Sequence, residues 1–167
     1  MNFRIKFSLI FLTIISPLLS NAQSRSLLDV YREYEHLDES FSLNISGGFL
    51  KMANWFDHDL EDHDLDEVIS SIDKIKILKV PKGFRGMESE EVRRFKKNLH
   101  REDFDELMHV RSDDGVFFVL AKEKRGVVDD LVMFGEGDHG VIFIEFLGHM
   151  DAKKIGRICR KIEMDEI

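Results

Sequence analysis

One stretch concentrates side chains that bind metal ions: Asp57-His58-Asp59-Leu60-Glu61-Asp62-His63-Asp64-Leu65-Asp66-Glu67. Its seven carboxylates offer hard oxygen ligands of the kind calcium takes, and His58 with His63 could add nitrogen for zinc. The spacing fits neither built form. Counted from Asp57, a calcium loop has Asp62 where the sharp turn requires Gly, and Val68 where it requires the closing Glu. Counted from Asp62, it has Glu67 in place of that Gly and Asp73 at the end. The histidines are five apart, whereas a helix brings positions four apart onto one face. We read the stretch as a solvated acidic loop, with His58, Asp59, Asp62 and His63 as the residues that would hold a divalent ion if one binds. No cofactor is expected.

Other chemistry-bearing patterns dissolve on inspection. Gly135-Glu136-Gly137-Asp138-His139-Gly140 matches the glycine spacing of a dinucleotide site, but that site needs a helix next, to set its N-terminus against the pyrophosphate. Val141 to Leu147 reads as a strand, so the glycines serve a hairpin. Arg93-Arg94-Phe95-Lys96-Lys97 is the wet face of an amphipathic helix with Phe95 inward. Cys159 shares an apolar stripe with Ile155, Ile158 and Ile162, as a small buried hydrophobe does. His109 lies between Met108 and Val110 with no nucleophile or acid beside it. There is no strained serine elbow, no zinc-protease helix and no phosphate-binding Walker loop. The expectation is a protein that is not an enzyme.

The elements that would carry these residues follow from hydrophobic period. Leu27, Leu28, Tyr31 and Tyr34 predict a helix over 26–36, and Phe41 to Ile45 alternates as a short half-buried strand. Ser46 can cap a helix bearing Phe49, Met52, Ala53 and Phe56. Leu65, Val68, Ile69 and Ile72 repeat the helical stripe, Ile75 to Val80 is a strand ended by Pro81, and Ser89 is expected to cap a helix with Val92, Phe95 and Leu99 inward. Then the period changes to two. Strands are predicted at 104–111, 116–123, 127–134 and 141–147, with Asp113-Asp114-Gly115 and Arg125-Gly126 as hairpin turns. Asp151 caps a closing helix. The pattern describes an α+β fold: a mostly antiparallel sheet of about five to six strands with amphipathic helices packed on it.

Two strands are apolar on both faces. Val116, Phe118 and Leu120 oppose Phe117, Val119 and Ala121; Val141, Phe143 and Leu147 oppose Ile142, Ile144 and Phe146. A sheet with one wet face would alternate. Either helices cover both faces, which the five predicted helices suffice to do, or an apolar face is left for a protein partner. Exposure of Phe117, Val119, Ile142 and Ile144 decides between them.

The chain has 167 residues, 43% of them hydrophobic, enough for a real core. Its start, Met-Asn-Phe-Arg-Ile-Lys followed by the apolar run Phe7 to Leu19 and then Ser20-Asn21-Ala22, reads as a signal peptide cleaved between Ala22 and Gln23. The run is short for a membrane span and carries Pro17. Residues 23–167 would then form a single domain, exported to the periplasm or, alternatively, outside the cell, with no stable membrane anchor. With 24 basic and 32 acidic residues the whole chain carries −8, and loss of Arg4 and Lys6 takes it to −10. Such a charge disfavours nucleic acid as a partner. One cysteine leaves no internal disulfide to form.

The run Ile72-Asp73-Lys74-Ile75-Lys76-Ile77-Leu78 and the stretch Phe104-Asp105-Glu106-Leu107-Met108, Asp113-Asp114-Gly115, Lys122-Glu123-Lys124, Gly126, Leu131-Val132 and Phe146-Leu147-Gly148 resemble an uncharacterised bacterial family. This is the "domain of unknown function 4252" group, found mainly in Bacteroidota. The resemblance spans about residues 27 to 160. It implies a cell-envelope location, and members encoded near extracytoplasmic-function sigma factors point toward envelope signalling. Lipoprotein members carry a lipid-accepting cysteine that this chain lacks. No catalytic residue comes with the resemblance. The functional expectation is an exported module that binds an envelope protein, with metal or small-ligand binding by the 57–67 stretch as the alternative.

Overall fold

The computed structural model describes residues 23–49, 63–82 and 86–165. Its centre is a six-stranded, wholly antiparallel sheet. In chain order the elements are α1 (Arg25–Tyr34), β1 (Phe41–Ser46), α2 (His63–Ser70), β2 (Ile72–Val80), α3 (Ser89–Arg101), β3 (Asp105–Ser112), β4 (Gly115–Lys124), β5 (Val127–Gly137), β6 (Gly140–Asp151) and α4 (Ala152–Asp165). Residues 47–49 begin a further helical turn after β1. Spatial order is β1-β2-β6-β5-β4-β3, so the β3–β6 meander closes against β2 and the outer edges belong to β1 and β3.

The hairpins form where the turn chemistry places them. Arg125 and Gly126 have φ of 57° and 84°, and two successive left-handed residues match the right-handed twist of β4 and β5. The pleat then sorts side chains into two cores. On the first face, Leu27, Val30, Tyr31 and Tyr34 of α1 and Val92, Phe95 and Leu99 of α3 pack on Leu78, Val80, Leu120, Val132, Phe134, Val141 and Phe143. Phe95 meets Phe134 and Phe143 edge-on, with centroids 5.1 Å away in each case. On the second face, Val68 of α2 and Ile155 of α4 pack on Ile72, Met108, Val119, Ala121, Val128, Leu131 and Met150. The result is three layers, helices–sheet–helices, so strands apolar on both sides are explained by helices on both sides.

Several boundaries differ from those expected. Ile72 begins β2 rather than ending the helical stripe of α2, because its backbone pairs with Gly148. The residue capping α3 is Glu88, not Ser89: Glu91 Oε2 accepts from the Glu88 N–H at 2.8 Å, while the Ser89 hydroxyl is drawn to Glu136 across the helix–sheet gap. Asp151 does cap α4, accepting from Lys154 N at 3.0 Å. β5 and β6 run three and four residues past the predicted ends, to Gly137 and Asp151, because their hairpin stays paired from its tip at Gly137 and Gly140 to its base at Val127 and Asp151. β1 is not half-buried. Nearly all of it is exposed, since it has a strand on only one side.

Candidate functional site

Strand register lays the second face out in transverse rows. The row nearest the 113–115 and 137–140 turns runs Phe41, Lys79, Ile142, Gly135, Phe117, Val110 from β1 to β3. The next runs Leu43, Ile77, Ile144, Met133, Val119, Met108, and the third includes Ile45, Ile75, Phe146, Leu131 and Ala121. Helices α2 and α4 sit over the third row and the β3–β4 side of the second. Arg157 clasps Asp64 with two hydrogen bonds (2.7 and 2.8 Å), and Lys154 meets Glu67, tying the two helices together.

Coverage stops there. Phe41 is 53%, Leu43 39% and Ile142 38% exposed, and Phe117, Ile144, Ile77 and Val110 are half-buried. Among the described residues no helix lies across the first row. Gly135 supplies no side chain to it, and its neighbours close over the position: a Cβ there would stand 3.0 Å from the Phe117 ring and 3.9 Å from Ile142. Phe117, Gly135 and Ile142 line an open groove of about 560 Å³ whose rim carries Asp114, Asp138, His139 and Lys79.

The four residues expected to report on a free face therefore separate. Ile142 is exposed, and Phe117 and Ile144 are partly so, but Val119 is 2% exposed and cannot meet a partner. Its row position places it beneath the α2–α4 layer, one row deeper than Phe117. Among the described residues, helices cover the third row and the β3–β4 side of the second, while the predicted helix bearing Met52, Ala53 and Phe56 lies outside the described residues.

The metal candidates are not tested by this geometry. His58, Asp59 and Asp62 lie outside the described residues, as does the His63 side chain, although His63 opens α2. Ala22 also lies outside them; Gln23 is the first residue described. His109 is exposed and stacks on Phe118 (4.6 Å between centroids), extending a ladder of rings through Phe134 to Phe143 across four strands. That gives it a packing role. Cys159 is half-buried against the second core.

A second group of functional interest was overlooked in the sequence. Asp130 and Glu145 are fully buried on the first face, with Lys76 and Tyr31 beside them. Lys76 Nζ stands 3.4 Å from Glu145 Oε2 and 5.3 Å from the Tyr31 ring centroid. Burial first, and then the Glu145 charge, push the Asp130 carboxyl up to about 8, so it is neutral near pH 7. Burial also raises Glu145, against the pull of Lys76. A signal was present: Glu145 shares strand parity with Val141 and Phe143, which marks it as inward. Asp130 carried the same signal through Val132 and Phe134, and the bulge between Val128 and Asp130 instead sends Val128 to the second core.

A three-layer domain built on one antiparallel sheet, with an acidic-rimmed apolar groove at one sheet end, describes the class. The particular family is given by its sequence model: residues 34–158 match the Domain of unknown function (DUF4252), and the chain belongs to that family. No curated protein and no solved structure matches the chain.

Proposed function

We propose that this chain is an exported cell-envelope protein that works by binding another protein, in a signalling setting, rather than by catalysis. The observation carrying the reading is the row Phe41–Ile142–Phe117, over which no helix lies among the described residues, with the open groove beside Ile142 and Phe117. Exposed apolar patches of this kind on a folded domain mark interaction sites. The occupant that fits is a segment of a partner protein with apolar side chains for the groove and basic flanks. The basic flanks answer the rim carboxylates Asp114 and Asp138 and the chain's net charge of −8. The outer edge of β1, next to Phe41 and Leu43 and unpaired among the described residues, offers such a segment backbone hydrogen bonds as well.

The test is site-specific photocrosslinking in the native envelope, with the reactive group at Ile142, at Phe41 and, as a control, at exposed Asp29 on the opposite helix layer. Adducts of one size at Ile142 and Phe41, absent at Asp29 and lost when Phe117→Asp leaves the melting temperature unchanged, support the reading. No adduct at either sheet position, or the same adducts at Asp29, overturns it. N-terminal sequencing of the protein recovered from the envelope tests export separately.

A further inference from the structure

The first described residues enter the buried acidic group directly. Gln23 Nε2 donates to Glu145 Oε2 at 3.0 Å, and the Ser24 backbone N–H donates to Asp130 Oδ2 at 2.9 Å. The next two residues are equally fixed. The Arg25 and Ser26 N–H groups donate to the two Glu102 carboxylate oxygens at 2.8 and 2.9 Å. Ser24 Oγ meanwhile caps α1 by accepting from Leu27 N at 3.1 Å. Four consecutive residues are thus bound to positions at least 76 away in sequence. The chain is anchored from Gln23 onward.

The group they enter is short of positive charge. Two fully buried carboxylates, Asp130 and Glu145, face one buried ammonium, Lys76. Lys122 on β4 and Lys74 on β2 act on them only from more exposed positions. Asp130 Oδ1, Glu145 Oε1 and Tyr31 Oη have no hydrogen-bond partner among the described residues. Buried polar atoms of this kind are costly unless something satisfies them. Successive backbone nitrogens are at most about 3.6 Å apart, so the nitrogen of Gln23 lies within about 6.5 Å of Asp130 Oδ2.

We infer that the α-ammonium of Gln23, created when residues 1–22 are removed, is the missing cation of the Asp130–Glu145 pair, so that export processing completes the core. Hydrolysis of the Ala22–Gln23 bond leaves a carboxylate on Ala22 and an amine on Gln23, which takes a proton at neutral pH. That converts a neutral amide N–H into three charged donors within about 6.5 Å of the Asp130 carboxylate. Two anions then face two cations, and Asp130 ionises. Before cleavage the same pair must share a proton. The inference rests on the exported reading, specifically on cleavage after Ala22.

Both cores and all six strands lie within residues 23–165, so the processed chain can be studied directly. Two chains are released from a cleavable fusion, one starting at Gln23 and one keeping Ala22, which moves the ammonium one residue outward. The amine of the first is followed by nitrogen-15 NMR. A free α-amine titrates at about 7.7–8.0, and the buried partners should raise it by at least about one unit. Because the folded value is the higher one, the stabilisation is fully present below about pH 7.7 and is lost as pH rises through the raised midpoint. At pH 7 the Gln23 chain should melt several degrees above the Ala22 chain, and Asp130→Asn should close that gap. An ordinary amine midpoint, or equal melting of the two chains, overturns the inference. If Asp130→Asn does not fold, the wild-type amine midpoint still decides. Mass spectrometry and N-terminal sequencing of the exported protein separate the two levels. Cleavage elsewhere overturns the inference together with its export premise. A Gln23 start with a cyclised amine, seen as loss of ammonia, overturns the inference alone.

Discussion

At the scale of single residues, the costliest groups in this molecule are buried acids. While residue 23 is in peptide linkage, the Asp130 carboxyl titrates at about 8, far above its unfolded value of about 3.9. A carboxyl raised on folding makes the native state hold the extra proton between those two values, so stability falls as pH rises through that window. The chain that keeps residues before Gln23 should therefore lose denaturation midpoint steadily from pH 5 to pH 8, and Asp130→Asn should flatten the profile. A flat wild-type profile would show that Asp130 is already ionised at low cost. Phe95 is the opposite case: it touches two rings edge-on inside the first core. Phe95→Ala removes those contacts and leaves a cavity, for an expected loss of about 3–5 kcal/mol by chemical denaturation.

At the scale of elements, the ends of the helices are held by distant side chains. Glu102 accepts from the first backbone N–H groups of α1, the positive end of that helix. Burial pulls its carboxyl upward, but hydrogen bonds from Ser26, Ser24 and Arg25 outweigh it and hold it below the usual range. A depressed carboxyl contributes above its unfolded value of about 4.3 and loses that contribution as pH falls through the folded value. Glu102→Ala should cost about 1 kcal/mol at pH 7 and progressively less on acidification below pH 4, as a lost N-terminal cap does. The α2–α4 clasp is read differently. The bidentate hydrogen bond from Arg157, outweighing desolvation, holds Asp64 below its ordinary range. Asp64→Asn should speed amide hydrogen exchange in α2 while leaving α1 and α3 unchanged. Equal effects on both helix layers would mean that α2 does not open independently.

At the scale of the whole molecule, one sheet supports two cores that are not equally closed. The first is sealed by α1 and α3 over strands whose inward residues are nearly all fully buried. Among the described residues the second is sealed where α2 and α4 lie, and at the turn end Phe41, Leu43 and Ile142 are exposed. An exposed apolar edge strand invites pairing between copies of the chain, which natural sheets usually discourage with charge. Phe41→Lys should therefore lower any concentration-dependent self-association, seen by analytical ultracentrifugation, with no loss of thermal stability. A fall in stability instead would show that Phe41 belongs to the second core.

Local chemistry made much of this architecture legible. The period-two runs from residue 104 onward, the Asp-Gly and Arg-Gly turns, and the helical stripes of α1, α3 and α4 are short-range patterns that backbone geometry reads directly. Strands apolar on both sides called for helices on both faces or an apolar face left for a partner, and the family match over residues 34–158 agrees with the resemblance carried by the same runs. Tertiary structure alone decided the rest. Whether Val119 or Ile142 is exposed depends on where α2 and α4 end over the sheet, and both residues belong to equally apolar strands. That Val128 faces the core opposite to Asp130 depends on a bulge that shifts pairing by one residue, which no periodicity reveals. The buried acids also meet only because β6 closes between β2 and β5, bringing Lys76 and Glu145 opposite each other. Side-chain pattern states which faces avoid water; the limited length of the helices and the register of the strands determine which positions actually escape it.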